Sequence, residues 1–230
     1  MTVDDEQIVD AAPEKEIIGP LKLMPGSHSI SATDDSGSEI AAEVTIAAGE
    51  SVDVVLHRPV DPTADPLFTS FTNDLATVAA GSGRLTVAHT AVAPPADIRV
   101  DGDVLLADVA STEQISTTVP EGIYPVDIVP TGTDGPKVLG PVDLDVEGGK
   151  LTRVFAIGVA ADRNMDAVVQ VLAVPVSDAK SPSAVPAGDG GQGAGLFDTD
   201  EGAGVLGGLL MLAGGAVIAL VGLRDRHRAS

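Results

Sequence analysis

Few side chains in this sequence have the type and spacing that chemistry needs. The histidines are His28, His57, His89 and His227. Of these, only His89 has a suggestive neighbour. It ends a strand-like run, and Asp97 follows a Pro-containing turn, so the carboxylate could meet the imidazole and orient it. The same two residues also fit a buried hydrogen bond that closes the turn. No serine stands in a G-x-S-x-G context, as a nucleophile elbow would require. The run Asp143-Leu144-Asp145-Val146-Glu147-Gly148 resembles the start of a calcium loop. Such a loop needs an acid at its twelfth position, where this sequence has Val154. Strand alternation instead puts Asp143, Asp145 and Glu147 on one face. No Lys-Ser/Thr follows Gly81-Ser82-Gly83, which excludes a phosphate loop there. Cysteine is absent, so disulfides, thiolate metal sites and thiol catalysis are excluded. With no Trp and a single Tyr, a stacking platform for sugars is missing. The expectation is a non-catalytic protein with no cofactor and no metal.

The elements that would have to position these residues are short strands. From 84 to 172 the chain runs through RLTVAHT, ADIRV, VLLADV, QISTTV, YPVDIV, VDLDV, LTRVFAIGV and AVVQVL. These are Val-rich and often alternating, and APP, DGD, PEG, GTDGP and EGGK punctuate them. No helical period accompanies them, so an antiparallel sandwich is expected. The first eighty residues repeat part of this. Gly26-Ser27-His28-Ser29-Ile30 matches Gly122-Ile123-Tyr124-Pro125-Val126, and Ala48–Val55 matches Gly148–Phe155, at offsets of roughly 96 to 100. His28 thereby falls on the position of Tyr124, as a packing and hydrogen-bonding residue. The Gly-Pro pairs at 19–20 and 140–141 fall in different places, and their likeness is compositional.

The fold class read from this pattern is all-β: two tandem antiparallel β-sandwich domains (Ig-like or prealbumin-like) plus one C-terminal transmembrane helix. Residues 1–80 form the first copy and 84–176 the second, with seven or eight strands. Residues 177–201 are a flexible Gly/Pro/Ser/Ala-rich stalk. Residues 202–223 span the membrane, and 224–230 are a cytoplasmic tail.

The second copy resembles the domain-of-unknown-function family 4397. The likeness rests on LTVAHTAVAPPADIRVDGDVLLADV, then VPEGIYPVDIVPTGT, a GGK turn and RVFAIGV. The family pattern falls on His89, Pro94, Pro95, Asp97, Val100, Asp101 and Gly102, and then on Pro120, Gly122 and Tyr124. A Ser-Pro usual soon after the His is missing here. The resemblance covers most of 84–172 and, less completely, 3–75. It implies an exported or surface protein of bacterial or archaeal type and brings no activity with it, so these positions have no assigned role.

Net charge is −21, which repels phosphate backbones and excludes a nucleic-acid partner. Residues 202–223, GAGVLGGLLMLAGGAVIALVGL, carry no charge. As a helix they would reach about 33 Å, enough for a hydrocarbon core of about 30 Å. DTDE precedes them and RDRHR follows, so the acidic domains are expected outside the plasma membrane and the tail in the cytoplasm. The functional expectation is a single-pass cell-surface protein with a structural or interaction role and a protein or cell-envelope partner. The alternative is an extracellular ligand- or cation-binding receptor module. The stretch MTVDDEQIVD is acidic and unlike a leader, and the first copy lacks a counterpart of LTVAHTAVAPPADIRV. The expectation that follows is a natural start further upstream, and an open edge or apolar cleft in the first copy where opening strands belong.

Overall fold

A computed structural model describes residues 1–177, apart from Pro13, Asp35 and Pro62, together with residues 216–220. The expected stalk apart from Ser177, and the expected tail, lie outside the described residues.

The described chain is all-β. Its first part holds β1 (Thr2–Val3), β2 (Glu6–Gln7), β3 (Glu16–Leu21), β4 (Gly26–Thr33), β5 (Glu39–Ile46), β6 (Val52–His57) and β7 (Leu67–Thr72). A short β8 (Val78–Ala79) leads to β9 (Ser82–His89), β10 (Ala96–Val100), β11 (Asp103–Val109) and β12 (Gln114–Pro120). There follow β13 (Gly122–Pro130), β14 (Leu139–Val146), β15 (Lys150–Ile157), a 3₁₀ turn at Ala160–Asp162, β16 (Asp166–Ala173) and β17 (Val176–Ser177). The last element, β18 (Ala216–Leu220), comes from the far end of the chain.

Four four-stranded sheets result, in the orders β2-β1-β4-β5, β3-β18-β6-β7, β12-β9-β15-β16 and β11-β10-β13-β14. The two halves correspond strand by strand. In each, one strand pair closes through a two-residue turn, Val3 opposite Glu6 and Val100 opposite Asp103. All four turn residues have positive φ: Asp4 and Asp5 in one, Asp101 and Gly102 in the other. That is the turn whose twist suits a hairpin, and it favours Asp and Gly. The Gly-Pro sequences of β3 and β14 hold different places in this scheme.

Alternation sends the side chains of the central strands to two different cores. Val52, Val54 and Leu56 of β6 join Val3, Ile30, Val44 and Ile46 of the sheet that holds β4. Leu85 and Val87 of β9 and Val154 and Ala156 of β15 join Ile98, Ile128, Leu144 and Val146. The opposite faces of these strands meet each other: Val55, Phe71, Ala88, Phe155, Ile157 and Val168 form a third cluster. Hence β6 is buried at every position, and β9 and β15 at all but the first. These strands read as apolar runs because both faces are covered. The β3- and β12-containing sheets are called inner below, and the other two outer.

Two expectations meet a different arrangement among the described residues. The first half has no open cleft beside β6, because β18 lies between β3 and β6 and pairs with both. And residues 216–220, read as part of a membrane helix, are a strand; the rest of 202–223 lies outside the described residues. Backbone groups on both flanks of the gap supply the reason. Buried N–H and C=O groups require partners, and a Val/Ile-containing, uncharged segment serves a strand as well as a helix.

Candidate functional site

Two of the most deeply buried polar residues lie where the two inner sheets meet. Asp53 is 0% exposed and Arg153 1%. Asp53 projects from β6 and Arg153 from β15, and each points away from its own sheet pair's core. They form an ion pair between Arg153 Nη1 and Asp53 Oδ2. Arg153 Nη1 also donates to Asn73 Oδ1, and its Nη2 donates to Gln114 Oε1 at 2.8 Å. Gln114 Nε2 donates to the Thr72 carbonyl at 2.8 Å, and Asn73 Nδ2 to Ser51 Oγ at 3.0 Å. The guanidinium carbon lies 4.9 Å from the centre of the Phe155 ring, a cation–π distance. Phe71 packs against that ring at 6.3 Å and 59°. Burial pushes the Asp53 carboxyl up and the Arg153 guanidinium down, and each partner's charge opposes that shift. Nearby, Arg84 Nη1 donates to the Asp74 and Ala76 carbonyls, each at 2.8 Å, and its Nε faces Asp74 Oδ2 at 3.1 Å. Every one of these bonds is structural in kind. They tie β6, β7 and the connection after β7 to β9, β12 and β15.

The expected His89–Asp97 pairing does not form. His89 Nε2 lies 3.2 Å from the Pro94 carbonyl, so the ring closes the turn between β9 and β10. Asp97 faces elsewhere: its Oδ1 accepts from Asp108 N at 2.8 Å and its Oδ2 from Gly132 N at 2.9 Å. Those two backbone donors hold its pKa below the ordinary value. Asp101 and Gly102 make the β10–β11 turn, with φ of 52° and 89°. Tyr124 Oη donates to the Pro120 carbonyl at 2.7 Å, and Gly122 opens the same strand beneath the ring. His28 repeats the Tyr124 arrangement, its Nε2 lying 2.7 Å from the Met24 carbonyl four residues earlier. Its Nδ1 lies 2.7 Å from Asp4 Oδ2, and the imidazole pKa is raised first by that carboxylate. His57 uses Nδ1 toward the Arg58 carbonyl at 2.9 Å and Nε2 toward Thr69 Oγ1 at 2.8 Å, and burial lowers its pKa.

Among the ion pairs that sequence reasoning missed, two sites centre on a buried carboxylate. One is the Asp53–Arg153 centre. The other is on an outer sheet, where Arg99 Nε donates to Asp127 Oδ1 at 2.7 Å and Lys137 Nζ lies 2.6 Å from Asp127 Oδ2. A signal for the first existed. Asp53 and Arg153 stand at equivalent repeat positions, 100 residues apart, with opposite charges in otherwise apolar strands.

A cavity lies at one end of the second half's core, lined by Val87, His89, Ile98, Val109, Ala156 and Met165 among others. Its volume is about 10 Å³, room for no more than about one water. Among the described residues, no group of three or more His, Asp or Glu could hold a metal ion.

With this geometry in view, the described residues form an all-β protein whose most buried ion pair joins β6 to β15. The family model described as Domain of unknown function (DUF4397) matches residues 1–96. The match is to that family over the first-half strands, continuing through β9 to the first residue of β10. His89 and Pro94 lie within the match. Asp97, Asp101, Gly102, Gly122 and Tyr124 lie beyond it, although the resemblance read in the sequence was centred on 84–172. No curated protein matches the chain.

Proposed function

We propose that this protein is a non-catalytic structural or interaction module, built from two tandem two-sheet sandwiches and held at a membrane surface. The observation that carries the non-catalytic part is the engagement of its polar groups. His28, His57, Asp97 and Asp127 each spend their polar atoms on backbone groups, a hydroxyl or a charged partner that fixes the fold, and His89 turns Nε2 to the Pro94 carbonyl while its buried Nδ1 has no hydrogen-bond partner among the described residues. General acid–base work needs such a group facing a place where a substrate can sit. The small apolar cavity beside His89 offers no such place and argues against a receptor for organic ligands. The matching sheet orders support the tandem reading.

Membrane attachment rests on the uncharged run 202–223 and its acidic-before, basic-after flanks. The acidic sandwiches are then outside and the Arg-rich tail inside. In that state residues 216–220 must leave the strand position between β3 and β6. In membranes from cells expressing the full chain, the protein should resist alkaline extraction. A variant with Leu209→Arg and Leu212→Arg should be released, since each Arg costs about 2.5–3.5 kcal/mol at a span's centre. Extraction of the unaltered chain would overturn the membrane reading.

A further inference from the structure

The same place is filled in both halves by strands that reach it from opposite directions along the chain. In the second half, β9 lies antiparallel to β12 and parallel to β15, with Thr86 opposite Arg153 and Val87 opposite Val154. In the first half, β18 lies antiparallel to β3 and parallel to β6, with Val217 opposite Asp53 and Ile218 opposite Val54. Asp53 and Arg153 are equivalent positions, so Val217 holds the register place of Thr86, and Ile218 that of Val87. The match continues on the other flank: Ile218 faces Ile18 as Val87 faces Ile115. Place, direction and register are shared, and connectivity is not. β9 runs on through residues 90–95 into β10. β18 is instead tethered by residues 178–215 to the other end of the described chain.

This comparison separates what the position requires from how a strand gets there. It requires backbone donors and acceptors on both edges, because β6 is buried at all six positions and water cannot satisfy its ladder there. It favours an uncharged segment, because the neighbouring strand β6 places Val54 in one apolar cluster and Val55 in another. It does not require a short covalent link to the neighbouring strand. We propose that the gap between β3 and β6 is a strand-acceptor site. Its ligand is an extended, uncharged segment running parallel to β6, and Ala216–Leu220 is the resident ligand, exchangeable for the same sequence supplied in trans. This is strand addition into a sheet interior, with main-chain bonds providing affinity. The tether sets how hard exchange is. A segment supplied by the same chain acts at an effective concentration of about millimolar. A free peptide must approach that concentration to compete.

The protein has no cysteine, so one engineered pair reports without background. In the full chain, Ile18→Cys with Ile218→Cys, and separately Ile17→Cys with Ala219→Cys, place two thiols at register partners. Each should oxidise to an intramolecular disulfide, seen as a crosslinked tryptic peptide in a monomer. Ile18→Cys with Val217→Cys, out of register, should crosslink at least tenfold less. The trans arm uses the full chain carrying only Ile18→Cys and a synthetic peptide of residues 214–222 with cysteine at 218. A mixed disulfide should form at millimolar peptide, and a version with Asp in place of Val217 should fail. The proposal is overturned by equal yields in and out of register, by crosslinks found only between two copies, or by equal capture of the Asp-bearing peptide. Far-ultraviolet circular dichroism of the reduced variants checks that the sheets persist, and the second in-register pair stands in if the first does not fold. Phosphatidylcholine vesicles then test the membrane reading separately. If that reading holds, they lower the in-register crosslink; if it fails, the yield is unchanged and the acceptor site stands.

Discussion

At the residue scale, the histidines divide by the direction in which the fold moves them. His57 and His89 are held below the ordinary imidazole value, in both cases chiefly by burial. His28 is held above it, chiefly by Asp4. A lowered histidine binds fewer protons folded than unfolded. Its stabilising contribution is therefore complete above about pH 6.5 and is lost as pH falls toward the folded value. A raised one contributes below about pH 6.5 and loses that contribution as pH rises through its folded value. Urea midpoints at about pH 7.5 and about pH 5.5 bracket the window. The protein should lose stability on acidification. The variant with His57→Gln and His89→Gln should show a flatter pH dependence, although less stable overall, and His28→Gln a steeper one. An unchanged slope in the double variant would show that neither ring titrates between the folded and unfolded states.

At the element scale, close approach decides which glycines are replaceable. A β-carbon on Gly83 of β9 would lie 2.5 Å from the Glu147 carbonyl oxygen and 2.7 Å from Val146 Cγ1. One at Gly122 would meet only the Tyr124 ring, at 3.8 Å. Gly83→Ala should cost about 1–3 kcal/mol by overpacking, and Gly122→Ala about 0.5 kcal/mol or less, both read from urea unfolding. Most elements were legible in the sequence for local reasons. The segment EIAAEVTI of β5 alternates with period two because one face is covered, and Asp101-Gly102 announces its own turn. The likeness of His28 to Tyr124 was visible from the repeat offset. β18 was not legible: in a run of uncharged residues, hydropathy cannot tell a membrane helix from a strand. The parting of His89 from Asp97 was not legible either. It depends on Asp108 and Gly132, whose N–H groups claim the carboxylate from 11 and 35 residues away.

At the scale of the whole molecule, the two halves are joined through one buried ion pair inside an apolar cluster. Asp53→Asn leaves the Arg153 charge buried without a counter-ion, at a cost of about 3–5 kcal/mol. Replacing both, Asp53→Leu with Arg153→Met, removes the charges together and should recover most of that loss or exceed the starting stability. A double-mutant cycle in urea measures the coupling, and strictly additive losses would show that the two residues do not sense each other. The pair escaped the sequence reading because strands covered on both faces carry no alternation to flag an inward-facing charge.

That pair also dictates which surfaces can meet. A face bearing Asp53 cannot stack upon its own duplicate without sealing two carboxylates in a dry contact, and the Arg153 face would seal two guanidiniums. Acid must find base, and each molecule already consumes its single match internally. The apolar faces of the inner sheets are thus forbidden to their duplicates, and identical copies have no lawful way to cake together along them.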